Sequence, residues 1–238
     1  METSHRADDP VSRTLREHVL EPLSTAEEMV EAEHAEVEAE RRAFARFADR
    51  IGGIDAVSGR PGGVTPGQTL TGSPPRRVER VRSAFRETVM SADHYDEVYG
   101  ESLVEHAAAE LSADVATGFR RESGTQFTAF YKSTLVSAVE GAVGWRERLE
   151  DQLEEELTSL DRSRETLESL LDRCDGPGPT EGVESDLDDL AARRQDLVQR
   201  RDPLSGTDGH ELCQYVYADA EWTYPVLTAV ARVRTAAV

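Results

Sequence analysis

Lysine occurs once in the 238 residues, at Lys132, and asparagine not at all. Isoleucine is confined to Ile51 and Ile54, and cysteine to Cys174 and Cys213. Two cysteines exclude a disulfide framework, and a Cys174–Cys213 bond is disfavoured in a reducing cytosol. No apolar run reaches the roughly 18 residues of a membrane span, and the polar start from Met1 to Pro10 lacks the apolar core of a signal peptide. The expectation is a cytoplasmic protein with no membrane partner. Strand-like alternation is missing throughout. Also missing are a glycine loop leading into a lysine, a Gly-x-Ser-x-Gly elbow and a strand-plus-glycine dinucleotide fingerprint. With these go the commonest routes to nucleotide and acyl chemistry.

What is abundant is acid. Asp+Glu number 47 against 27 Lys+Arg, a formal net charge of -20. Such a chain repels nucleic-acid phosphate, so general nucleic-acid binding is not expected. Hydrophobic residues make up 38%, and with the 17 glycines the apolar share suffices for a core. An acidic surface with arginine in place of lysine suits very high salt, where a Debye length of about 3 Å at 1 M screens self-repulsion. A GC-rich genome alone favours arginine over lysine, but it does not account for the excess of acid.

Helical periodicity runs along most of the chain. Val11, Leu15, Val19 and Leu20 suggest a lead-in helix kinked at Pro22. Ser24–Glu27 and Thr25–Glu28 fit capping boxes. From there Leu23, Val30, Val37, Phe44 and Ile51 recur at sevens on an acidic helix. Residues 52–75 hold seven Gly and four Pro and read as a mobile loop within one domain. Val78, Val81, Phe85 and Val89 form a second helix. Leu103 to Leu111 forms a third, and Ser112 caps a fourth with Val115 and Phe119 inward. Thr125 is expected to cap a helix running to Cys174. Along it Val139, Leu153, Leu160, Leu167 and Cys174 share one heptad position, and Val136, Val143, Leu157 and Leu171 share another. Arg146, Glu150 and Arg164 interrupt this seam, and Gly141 and Gly144 suggest close helix contact. A Gly/Pro turn after Asp175 leads to Val183, Leu187, Leu190, Leu197 and Leu204, an antiparallel partner. Pro225 suits the first turn of a last helix with Val226, Leu227, Val230 and Val233.

The ordered set Pro22-Leu23, Ala43 to Phe47, Arg86 to Met90, His94 to Glu97, Tyr99 to Leu103, Tyr215 to Tyr217 and Tyr224 to Leu227 resembles a haloarchaeal family of helical proteins of unknown function. The resemblance covers nearly the whole chain. It implies a helical fold and a haloarchaeal habitat, and it implies no activity and no functional residue.

Several constellations could carry chemistry. Glu31-x-x-His34, flanked by Glu27 and Glu38, matches one half of a carboxylate-bridged di-metal bundle. The one other Glu-x-x-His, Glu2 to His5, lies in the polar start outside the helical pattern, although His106 and Glu110 lie at helical spacing. Cys174, His210 and Cys213 could supply three zinc ligands, against the blander reading of a buried small cysteine. Arg76, Arg77, Arg80, Arg82 and Arg86, with only Glu79 and Glu87 among them, form the basic cluster of an acidic chain. Pairing with the acidic first helix is the expectation there. Tyr215, Tyr217, Trp222 and Tyr224 are expected to close one end of a bundle.

The expected fold is all-α: a helical bundle with a long antiparallel coiled-coil hairpin and a Gly/Pro-rich loop. It is read as one domain over 1–238, divided into 1–51, 52–75, 76–124, 125–204 and 205–238. The expected function is non-enzymatic protein–protein contact or self-association through the seam from Val136 to Cys174. No catalytic residue, cofactor or metal is assigned. The alternatives are a nucleic-acid-associated regulator using Arg76–Arg86 and a metal-binding helical bundle.

Overall fold

Val19, Leu23, Ala26, Val30 and Val37 repeat at threes, fours and sevens, and the helix they specify is longer than its capping signals imply. In the computed structural model, which describes residues 10–57, 74–91, 102–120, 125–175, 182–204 and 211–236, helix α1 runs unbroken over Pro10–Gly52 with Pro22 inside it. The lead-in segment is thus continuous with the helix that follows, and the expected capping box at Ser24 is corrected. Proline removes the amide that would bond the carbonyl four residues earlier. That carbonyl, His18 O, instead accepts from Arg232 Nη1 at 2.5 Å, while the same nitrogen lies 2.9 Å from Glu21. The orphan left by the proline is thus satisfied by a distant cation. Ser24 Oγ donates back to Leu20 O rather than capping.

The remaining helices are α2 (Pro74–Thr88), α3 (Leu103–Glu110), α4 (Ala113–Phe119), α5 (Ala129–Asp175), α6 (Val183–Arg200), α7 (Leu212–Val216) and α8 (Pro225–Ala236). The described residues contain no strand, only an isolated bridge between Val57 and Thr128. The all-α expectation is met. Pro74 and Pro75 stand in the first turn of α2, and Pro225 in that of α8, where a missing amide costs least. Ser112 caps α4 by accepting from Val115 N. The cap of α5 is Thr128, whose Oγ1 accepts from Tyr131 N at 3.1 Å. Thr125 is not the cap, because Val57 N donates to Phe127 O and ties that stretch to the chain following α1. Most of the Gly/Pro-rich loop, residues 58–73, lies outside the described residues, as do His94, Tyr95 and Tyr99.

Contacts divide the chain into two compact units, one of Met1–Ala35 with Leu149–Val238 and the other of Glu36–Arg148. In the first, α1 and α5 run antiparallel: Arg16 meets Asp172 at 2.6 Å, Glu27 meets Arg164, and His34 meets Glu154 at 3.5 Å. α6 runs antiparallel to α5 as well, since Arg173 pairs with Asp186 near the turn and Arg201 with Glu155 at the far end. This is the expected helical hairpin. Leu153, Leu160 and Leu167 of α5 are fully buried, with Leu23 and Val30 of α1, Leu187 and Leu190 of α6, and Val226 and Val230 of α8. The seam expected to lie open to a partner is thereby closed within one chain. Leu157 is half-buried and only Cys174 of that pattern is exposed.

In the second unit, Phe85 of α2 is the centre. Phe47 meets it edge-on at 5.2 Å between ring centroids and Phe119 at 5.5 Å, with Phe44 and His106 around them. Edge-to-face rings contribute about 0.5–1.5 kcal/mol beyond their burial. Lys132, the one lysine, donates from Nζ to Gly52 O and Ile54 O at 2.8 and 2.9 Å. It caps the carbonyl end of α1, where a cation opposes the helix dipole.

Candidate functional site

The first unit holds a carboxylate with no solvent exposure. Glu156 follows Leu153 by three residues and precedes Leu160 by four, so helical geometry puts it on the buried stripe. Arg194, four residues after Leu190, occupies the matching stripe of α6. Arg194 donates Nη1 to Glu156 Oε2 at 2.9 Å and Nη2 to Oε1 at 2.6 Å, a fork on a fork. Arg201 Nη1 donates to Oε2 at 2.6 Å and the Tyr217 hydroxyl to Oε1 at 2.7 Å. Each oxygen therefore accepts two hydrogen bonds, which fills the lone-pair capacity of a carboxylate. Arg194 also reaches Ser159 Oγ at 3.1 Å and Cys213 Sγ at 3.5 Å. Arg201 spends Nε on Glu155, so two guanidiniums meet two carboxylates.

The electrostatics follow from that count. Burial alone would raise the Glu156 pKa, but Arg194 and then Arg201 overcome it and hold the carboxyl below its ordinary value. Burial, reinforced by the Glu156 charge, pushes the Cys213 thiol up to about 11. The same causes raise the Tyr217 hydroxyl far above its ordinary value. A saturated carboxylate and an un-ionised thiol make a poor base and a poor nucleophile. What the cluster can do is lock α5, α6 and the α7 segment together.

Two further arginines of α5 make similar clamps. Arg164 forks onto Glu27, with Nε to Oε1 at 3.0 Å and Nη2 to Oε2 at 2.5 Å, and also donates to Ser24 Oγ. In the second unit, buried Arg146 donates to Glu40 at 2.9 Å and Glu110 at 2.8 Å, with its guanidinium 4.5 Å from the Phe44 ring centre. Two of the three residues read as interruptions of the seam, Arg146 and Arg164, are thus cross-helix ties. Gly141 is not a close-contact site, since a Cβ there would meet nothing within 4 Å. The close approach is at Gly118, where a Cβ would lie 2.2 Å from the Tyr131 hydroxyl.

The sequence-derived candidates are dispersed. Glu31 is exposed while His34 faces Glu154, and Glu27 and Glu110 are held by arginines. Among the described residues no three His, Cys, Asp or Glu side chains gather as metal ligands. Cys174 is exposed, Cys213 is buried, and both are free thiols. His210 lies outside the described residues. On α2, Val78, Val81 and Phe85 take the inward face and Arg80 is left outside. The tie to α1 is Arg50–Glu87 at 2.5 Å, with its charges the reverse of those expected. Arg82 is buried beside Glu79 at 3.7 Å, while Arg77, Arg80 and Arg86 make no ion pair among the described residues. Of the aromatic group, Tyr217 packs against Trp222 at 5.3 Å and Tyr215 donates to Glu33 at 2.7 Å.

Glu156 and Arg194 escaped sequence reading. The usable signal was that, of Glu154, Glu155 and Glu156, only the last keeps leucine spacing, and that Arg194 keeps it on the opposing helix. No helix among the described residues is long and apolar enough to cross a membrane. No curated protein and no solved structure matches the chain. A family model described as a domain of unknown function, DUF7260, matches residues 21–237.

Proposed function

Because the chain belongs to this family of unknown function, its work has to be read from its own side chains, and we propose that it is a non-enzymatic helical scaffold acting by protein–protein contact or self-association in a salt-adapted cytoplasm. The observation that carries the non-enzymatic part is the saturation of Glu156: four donors occupy its two oxygens. The most deeply placed ionisable group is committed to holding helices. Contact falls to the outer polar faces, because the seam leucines are used within the chain. The net charge of -20 supports the saline setting.

Light scattering over a concentration series, with metal analysis of the purified protein, tests this reading. The expected result is a mass that rises reversibly above one chain, with no stoichiometric metal. Stoichiometric metal overturns it in favour of a metal-binding bundle. A constant single-chain mass removes self-association and leaves contact with a different protein. A nucleic-acid-associated role draws support only from Arg77, Arg80 and Arg86, which make no ion pair among the described residues, and predicts a DNA mobility shift at matched salt that is lost when all three become Gln.

A further inference from the structure

Along α5, residues Ser159, Arg162 and Ser163 stand on one face, and along α6 residues Arg193, Leu197 and Arg200 stand opposite. Between the two helices lies a half-open cleft of about 660 Å³, within the usual range for small-ligand sites. Ser159 and Ser163 are among the residues that line it, with side chains shorter than the leucines of the adjacent seam.

The charge inside the cleft is unlike the rest of the unit. Arg16, Arg164, Arg173, Arg194, Arg201, Arg232 and Arg234 each have a carboxylate partner. The unit's other arginines with described side chains are Arg162, Arg193 and Arg200, which have no carboxylate within ion-pair distance among the described residues. All three line this cleft. Arg200 spends only its Nε, on the Asp196 carbonyl. Buried Arg194 forms part of the same wall, and its Nε has no hydrogen-bond partner. Two acids also line the cleft. Glu155 is tied to Arg201 at 3.2 Å, so Asp196 is the one cleft acid left against three arginines without an ion pair among the described residues.

On a chain of net charge -20, three exposed arginines gathered in one concave place offer an anion a local concentration of positive charge. We infer that the α5–α6 cleft binds a small polyanion bearing phosphoryl or carboxylate oxygens, held by Arg162, Arg193 and Arg200. Guanidinium forks suit such planar oxygen pairs, and direct contacts of this kind persist where salt screens long-range attraction.

The test is calorimetric titration of the full chain with pyrophosphate, and in parallel with citrate, in the salt that gives the highest melting temperature. Saturable binding at one site is expected, with a rise in melting temperature as it fills. Arg162→Gln with Arg193→Gln should weaken it by about tenfold or more. Thr158→Trp, an exposed change on the cleft wall that leaves the charge alone, should block it. Arg148→Gln, an exposed arginine of the other unit, should leave it unchanged. Circular dichroism checks that each variant remains helical. Absence of saturable binding to either anion, equal weakening by Arg148→Gln, or full binding by Thr158→Trp overturns the inference. A preference for one anion separates phosphoryl from carboxylate ligands.

Discussion

Single residues show how little slack the packing has, and where it has some. Gly118 lies against the Tyr131 ring, whose hydroxyl donates to Val115 O at 2.9 Å. Gly118→Ala should displace that ring and cost about 1–3 kcal/mol, read as a fall in melting temperature, and Tyr131→Leu should relieve it. Gly141, inside α5 with open space beside it, behaves oppositely. Gly141→Ala should stabilise by about 0.5–1 kcal/mol, because alanine loses less backbone freedom on folding. The cysteines differ in the same local way. Cys174 is exposed, whereas Cys213 is buried with its thiol raised to about 11. Thiol labelling of the native protein at neutral pH should modify Cys174 and reach Cys213 only on unfolding. Equal labelling of both would contradict the packing of α7.

At the scale of elements, the long helices are joined by charge as much as by leucine. Glu156→Gln leaves Arg194 and Arg201 buried with too little opposing charge and should cost about 3–5 kcal/mol. Combined with Arg194→Met, the loss should be well short of additive in denaturant titrations. Because the folded Glu156 pKa is lowered, its stabilisation is present above the ordinary carboxyl value of 4.5 and lost as pH falls below it. The raised Cys213 pKa works at the other end: stability declines as pH climbs from 9 toward 11, where the unfolded thiol ionises and the folded one does not. The helices themselves were legible in the sequence because their periodicity is local, and so were Ser112 and Pro225 at their starts. Ser24 and Glu27 misled because they satisfy the capping-box spacing while serving Arg164, 137 residues from Glu27. No local pattern reports such a partner. Glu156 was hidden for the same reason, as one of three successive acids whose distinction is the helix opposite.

For the whole molecule, charge and seam decide. With a net charge of -20, dilute buffer restores repulsion between acidic faces, so the melting temperature should rise strongly from low to molar KCl. A flat profile would remove the salt-adapted reading. The closure of the leucine seam within one chain is the claim on which the scaffold rests, and Leu160, fully buried on α5, tests it most directly. Leu160→Asp puts an unpaired charge where about 2 kcal/mol of apolar burial stood. Circular dichroism and sedimentation of this variant should find helicity lost or sharply less stable to heat. A variant that stays as helical and as stable as the parent, with its mass unchanged or reduced, would contradict the closure and place Leu160 on a solvated face or against a second copy of the chain.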